Sequence, residues 1–139
     1  KFFDVIQTID SIELLKKINK TAEKLNKIQK IFLQVNIGRD PNKYGFNYKE
    51  TILAAEYQNQ LKNIELNGIM TIPPANLNSI KLQQLYSKTR DLKNKIKLEI
   101  DKKCKYLSMG MSNDFNIAIV EGATHIRIGG ALFGKRQNV

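Results

Sequence analysis

One cysteine, one histidine, three prolines and no tryptophan are spread over 139 residues, and each scarcity narrows what the chain can be. A lone Cys104 permits no internal disulfide and no cysteine-based zinc site. It stands among Lys102, Lys103 and Lys105 without the spacing of a redox pair, so it reads as a structural, buried residue. His125 has no His, Cys or carboxylate at metal-ligand spacing, and no metal site is read from the sequence. No apolar run approaches the roughly 18 residues that span a bilayer, and the opening Lys1-Phe2-Phe3-Asp4 lacks the apolar stretch and small-residue cleavage site of a signal peptide. A soluble, cytoplasmic protein with no membrane partner is expected. Few prolines, eight glycines and 42% hydrophobic residues fit one globular domain.

What is abundant is positive charge, with a formal net charge of +10. A basic face is the footprint of a nucleic-acid binder, but here the lysines are distributed over every expected helix and mixed with acidic residues, as in Glu23-Lys24 and Asp101-Lys102-Lys103. That pattern describes solvated helix faces, and no specific nucleic-acid partner is read from it.

Along the chain, β-like runs alternate with helical ones. Strands are expected over residues 3–9, 31–37, 64–72, 105–109 and 124–128, the second nearly continuous in apolar character, as a strand covered on both faces should be. Asp10 followed by Glu13 suggests a capped helix start, and Ile12, Leu15, Ile18, Ala22 and Leu25 form one apolar stripe behind it. A second helix is expected over 48–62, before a strand that Pro73-Pro74 stops. Asn78 caps a third, with Leu82, Leu85, Thr89, Leu92 and Ile96 inward. Ser112 is placed as the N-cap of a short helix with Phe115, Ala118 and Ile119 inward, ended by Gly122.

Five parallel strands alternating with helices define an α/β fold. Two architectures fit, a doubly wound open sheet or an incomplete TIM-type (β/α) barrel, since a complete eight-fold barrel needs about 250 residues. The chain opens directly in a strand, from which it is expected to be part of a longer domain.

Chemistry concentrates in the last third. Leu107-Ser-Met-Gly-Met-Ser-Asn-Asp114 and Ile126-Arg-Ile-Gly-Gly-Ala-Leu-Phe-Gly134 each read as strand, glycine turn and helix start. Two such turns side by side present unpaired N–H groups to an anion, Ser112 adds a hydroxyl, and Gly129 and Gly130 allow close backbone approach to a phosphate. From pattern alone, a helix cap and an ordinary turn explain the same residues equally well. Asp114 suits a capping role, Asn36 and Met70 lie near strand ends where a ligand or ordinary packing could meet them, and Arg127 and His125 share one face of the last strand.

The stretch LSMGMSNDFNIAIVEGATHIRIGGALFGKR, residues 107–136, closely resembles the closing signature of the pyridoxal 5′-phosphate (PLP) homeostasis protein family, whose barrel is that of the alanine racemase N-terminal domain. Thr8-Ile9-Asp10, Gln34-Val35-Asn36 with Lys43 and Gly45, and Gly68-Ile-Met-Thr-Ile-Pro73 resemble it in the same order. The resemblance implies PLP as cofactor, with Ser112, Gly129 and Gly130 at its phosphate and Arg127 at the pyridine nitrogen. It implies the C-terminal portion, residues 1–139, of a single PLP-binding barrel domain whose N-terminal strands are missing, a noncatalytic role in intracellular PLP homeostasis, no catalytic residue, and PLP-dependent apoenzymes as recipients. A PLP-dependent amino-acid racemase-like enzyme is the alternative. The chain departs from the family at two points: none of its 19 lysines sits in the motif of the Schiff-base lysine, and Gly130 stands where many relatives have Ser or Thr.

Overall fold

The computed structural model describes residues 3–134, so the first two residues and the end of the signature, including Arg136, lie outside the described residues. Ten elements follow in strict alternation: β1 (Val5–Ile9), α1 (Ile12–Lys24), β2 (Gln29–Val35), α2 (Tyr48–Gln58), β3 (Ile64–Thr71), α3 (Ser79–Glu99), β4 (Tyr106–Met111), α4 (Phe115–Val120), β5 (His125–Arg127) and α5 (Gly130–Phe133). All strand pairs are parallel, and their spatial order is their chain order, β1 to β5. An unreversed order means each right-handed crossover returns its helix to the same side of the sheet. This separates the two architectures left open by the sequence: the sheet is part of a (β/α) barrel, not a doubly wound sheet with a reversal point.

The two faces of the sheet differ in chemistry. Ile31, Leu33, Val35, Leu66, Ile69, Leu107 and Met109 face outward and form one apolar core with Leu15, Ala54, Ala55, Leu85, Leu92, Ile96 and Ala118 of the helices. The concave inner face carries Gln7, Phe32, Gly68, Met70, Tyr106, Ser108, His125 and Arg127, which meet one another through ring contacts, hydrogen bonds or direct strand pairing. A bulge on β3 sets this division, because Ile31 pairs with Leu66 whereas Phe32 pairs with Gly68. At Gly68 a Cβ would lie 2.2 Å from the Tyr106 carbonyl oxygen, so only glycine fits. The gap it leaves lets the Phe32 and Tyr106 rings stack across the intervening strand at 6.3 Å, with His125 edge-on to both.

Several boundaries differ from the sequence reading for local reasons. The first helix is capped by Ser11, whose Oγ accepts the Leu14 N–H at 3.2 Å, and not by Asp10. β2 starts two residues early because the Gln29 N–H is taken by the Asn63 carbonyl, and it stops at Val35 because the Asn36 N–H turns to Phe46. α2 ends at Gln58, since Gln60 and Leu61 form turn bonds back to Tyr57 and Gln58. Leu25 and Ile119, expected inside, are 43% and 51% exposed. Cys104 is fully buried, and that burial pushes its thiol up to about 12, which keeps it neutral.

Candidate functional site

The loops after β3, β4 and β5 meet at the carboxyl ends of the strands, the side where ligands are met in barrels of this kind. They enclose a cleft of about 670 Å³ lined by Lys43, Pro73, Asn76, Met111, Ser112, Asp114, Arg127, Gly129 and Gly130. A volume of this size suits a small organic ligand. Ser112, Arg127, Gly129 and Gly130, separated by up to 18 positions in sequence, therefore line one cleft.

Ser112 is the joint between the two turns, and its role differs from the cap expected of it. Its Oγ does not bond into α4; it accepts the N–H groups of Gly129 and Ala131, both at 3.2 Å, and so ties the β4 turn to the start of α5. A hydroxyl has two acceptor positions and one proton. With both acceptor positions filled by backbone, the Ser112 proton is left to donate. Gly130 lies beside it with no N–H acceptor among the described residues, and both glycines face free space. A Cβ on Gly129 would meet nothing within 4 Å, and on Gly130 only the Ser112 Oγ at 4.0 Å. Neither glycine has a positive φ. Protein packing therefore gives no reason for glycine at either position, and an open cradle remains in front of the turn.

Asp114 occupies the N-cap position of α4 but makes no side-chain bond into that helix, which corrects the capping role expected from the sequence. Its Oδ1 accepts the Met111 N–H at 2.5 Å, and its Oδ2 accepts the hydroxyl of the fully buried Tyr86 at 2.9 Å. Both oxygens are thus committed to holding the turn that carries Ser112. Burial, reinforced by the Asp114 charge, drives the Tyr86 phenol well above its usual range, so it stays protonated and donates.

Arg127 is partly buried, and desolvation lowers its pKa, offset in part by Tyr86 and Asp114. Its Nη1 donates to Ser108 Oγ at 2.8 Å and its Nη2 to the Thr71 carbonyl at 2.9 Å. Lys43 reaches the same cleft from the loop after β2, where its Nζ donates to the Pro73 carbonyl. Asn36, left open by the sequence, builds that loop, donating to the Asp40 and Lys43 carbonyls and accepting the Asp40 N–H. Met70 is buried on the inner face, paired with Ser108. His125 shares the inner face with Arg127, yet it contacts Phe32 and Tyr106 near the opposite strand ends. Sequence reasoning missed Tyr86, which carries only a core-spacing signal. It also missed Ser108, which the two-residue alternation of β4 places on Arg127's face. Among the described residues no cluster of His, Cys, Asp and Glu could hold a metal ion, and no helix is long and apolar enough to cross a membrane.

Comparisons with known proteins show which family and fold this chain shares. The family described as "Alanine racemase, N-terminal domain" matches residues 2–137. Curated relatives include the "Pyridoxal phosphate homeostasis protein" of Aquifex aeolicus, 38% identical over 96% of this chain and 58% of its own length. The Homo sapiens protein of the same name is 32% identical over 96% of the chain and 50% of its own length. This chain thus spans between half and three fifths of these relatives. Among solved structures, PipY of Synechococcus elongatus with PLP bound superposes with a TM-score of 0.88 at 32% identity, covering 95% of this chain and 61% of that one. Alanine racemase of Clostridium difficile shares the fold, with a TM-score of 0.71 at 19% identity, covering 96% of this chain and 36% of that one. The chain belongs to the alanine racemase N-terminal domain family, and the curated relatives it resembles are named pyridoxal phosphate homeostasis proteins.

Proposed function

We propose that this chain binds PLP, with Ser112, Gly129 and Gly130 at the phosphate and Arg127 at the pyridine nitrogen, and that it holds the cofactor for intracellular homeostasis without turning over an amino acid. The observation that carries the reading is the joint at Ser112: two backbone N–H groups fill its acceptor positions, its proton is free to donate, and the glycines beside it leave a cradle the protein does not use. A phosphate dianion has the acceptors such a cradle lacks. The residues present fit the cofactor, whose aldehyde condenses with amines and whose ring accepts electrons when its nitrogen is protonated.

Arg127 bears on the second half of the proposal. Its guanidinium remains charged, and an N–H aimed at the pyridine nitrogen keeps that nitrogen unprotonated and weakens the ring as an electron sink. The other titratable groups of the cleft are already engaged, Asp114 by Met111 and Tyr86 and Lys43 by the Pro73 carbonyl. Among the described residues of the cleft, that leaves no free acid–base pair for proton transfer at a substrate carbon. The names of the curated relatives support homeostasis; PLP-dependent apoenzymes are the recipients proposed here.

The test is a set of dissociation constants for the 139-residue chain. PLP and pyridoxine 5′-phosphate are expected to bind, and unphosphorylated pyridoxal to bind about tenfold or more weakly, because hydrogen bonds to the phosphate are lost. The PLP-loaded chain should leave L-alanine unracemised, and borohydride should trap no adduct at a single lysine. Equal affinity for pyridoxal and PLP would remove the phosphate from this cleft, and racemisation would overturn the noncatalytic half.

A further inference from the structure

Arg127 is held in an unusual way for a partly buried cation. Among the described residues no carboxylate lies within ion-pair distance of it, and the groups that hold its terminal nitrogens are a hydroxyl and a peptide carbonyl. Neutral acceptors fix the fork without cancelling its charge. The hydroxyl belongs to Ser108, which is fully buried on the inner face of β4, and its own proton goes across the concave sheet to Gln7 Oε1 on β1 at 2.7 Å. β1 and β4 are not neighbours in the sheet, so this bond bridges the hollow of the barrel.

The direction of each bond follows from the chemistry of the donors. Arg127 can only donate, so Ser108 Oγ must accept from it. The single Ser108 proton must then point at Gln7, which offers its amide oxygen. Without that acceptor the hydroxyl could rotate and turn its proton toward the guanidinium, where it would repel. Resting on the binding mode proposed above, we infer that Gln7 and Ser108 are positioning residues that aim Arg127 at the ring nitrogen of the ligand, so that the chain's selectivity for a pyridine over a benzene ring depends on a relay reaching back to β1. Thr71, acting through its backbone carbonyl, holds the second nitrogen and gives the pair its plane.

Neither Gln7 nor Ser108 lines the cleft or bonds Ser112, Gly129 or Gly130, so phosphate affinity and ring selectivity are separable. The experiment compares pyridoxine 5′-phosphate with its analogue in which the ring nitrogen is replaced by C–H. The unaltered chain should prefer the nitrogen ligand about tenfold, the scale of one hydrogen bond to a charged group. Ser108→Ala and Gln7→Met should each reduce that preference to about twofold or less while inorganic phosphate competes as before. Gln7→Glu keeps an oxygen acceptor for Ser108 and should retain the preference, which a merely structural role for Gln7 would not require. Gln7 is only half-buried, so Gln7→Met tests the relay even if Ser108→Ala fails to fold. Failure of the unaltered chain to bind either ligand overturns the proposed function and this inference together. Equal binding of both ligands, or full preference in Gln7→Met, overturns the relay and leaves the phosphate site standing.

Discussion

Gly130 stands where the family resemblance implies Ser or Thr, and the geometry gives that difference a sign. Its φ is not in the left-handed region, and a side chain there would have only the Ser112 Oγ at 4.0 Å for company. A serine is therefore admitted without strain, and its hydroxyl would stand over the same cradle as Ser112. Gly130→Ser is expected to tighten PLP about tenfold, with little effect on pyridoxal, as one added hydrogen bond to a dianion. Ser112→Ala should act in the opposite sense on the same ratio, and it should also loosen α5, since the Gly129 and Ala131 N–H groups lose their acceptor. The check is the PLP-to-pyridoxal ratio of dissociation constants for both variants, and an unmoved ratio in both would place the phosphate elsewhere. The turns that line this part of the cleft were legible because glycine and serine after a strand are short-range signals, whereas their assignment to a phosphate, and that of Arg127 to a ring, came from the family resemblance. Tyr86 and Gln7 were not legible, because each acts through a contact with a residue at least 28 positions away.

At the level of elements, the order of strands and helices was legible from periodicity, while their ends were set by particular bonds that composition does not encode. Ser11 and Asp10 are both good N-caps, and the choice fell to the residue whose Oγ reached Leu14. β5 loses Thr124 and Ile128 from the ends of its β-branched run, and Thr124 is tied to Leu107 of β4 both by its backbone N–H and by its hydroxyl, which accepts the Leu107 N–H and donates to the Leu107 carbonyl. The β3 bulge was equally hidden. Gly68 reads as a weak point in a strand, yet it is the position on which the two faces are sorted. Gly68→Ala should destabilise the chain by about 3 kcal/mol, the upper range for overpacking, because the new methyl meets backbone that cannot swing aside. It should also part the Phe32 and Tyr106 rings. Chemical denaturation measures the first effect and ring-current shifts at His125 the second; a loss below about 1 kcal/mol would mean that the bulge relaxes to accommodate it.

On the scale of the whole molecule, the strand order decided the architecture, and nothing in a single sequence states which parallel strands will be neighbours. The unreversed order that gathers the cleft also leaves β1 and β5 apart, each pairing on one side only among the described residues. Their free sides present unpaired backbone groups, and such edges are templates for pairing with another chain. Exposed apolar groups accompany them: Leu132 and Phe133 of α5 are 72% and 86% exposed, and Tyr106 of the inner face is 43% exposed. The net charge of +10 opposes association through long-range repulsion, but that repulsion is screened within about 10 Å at 0.1 M salt. The 139-residue chain in isolation is therefore expected to self-associate as concentration and salt rise, which sedimentation velocity reads directly. Phe133→Lys separates the two sources of attraction. Association that survives it is edge pairing, whereas association abolished by it belongs to the apolar face of α5. A chain that stays monomeric at every concentration and salt, with a sharp cooperative melt, would show that five strands close enough of their own surface to need neither.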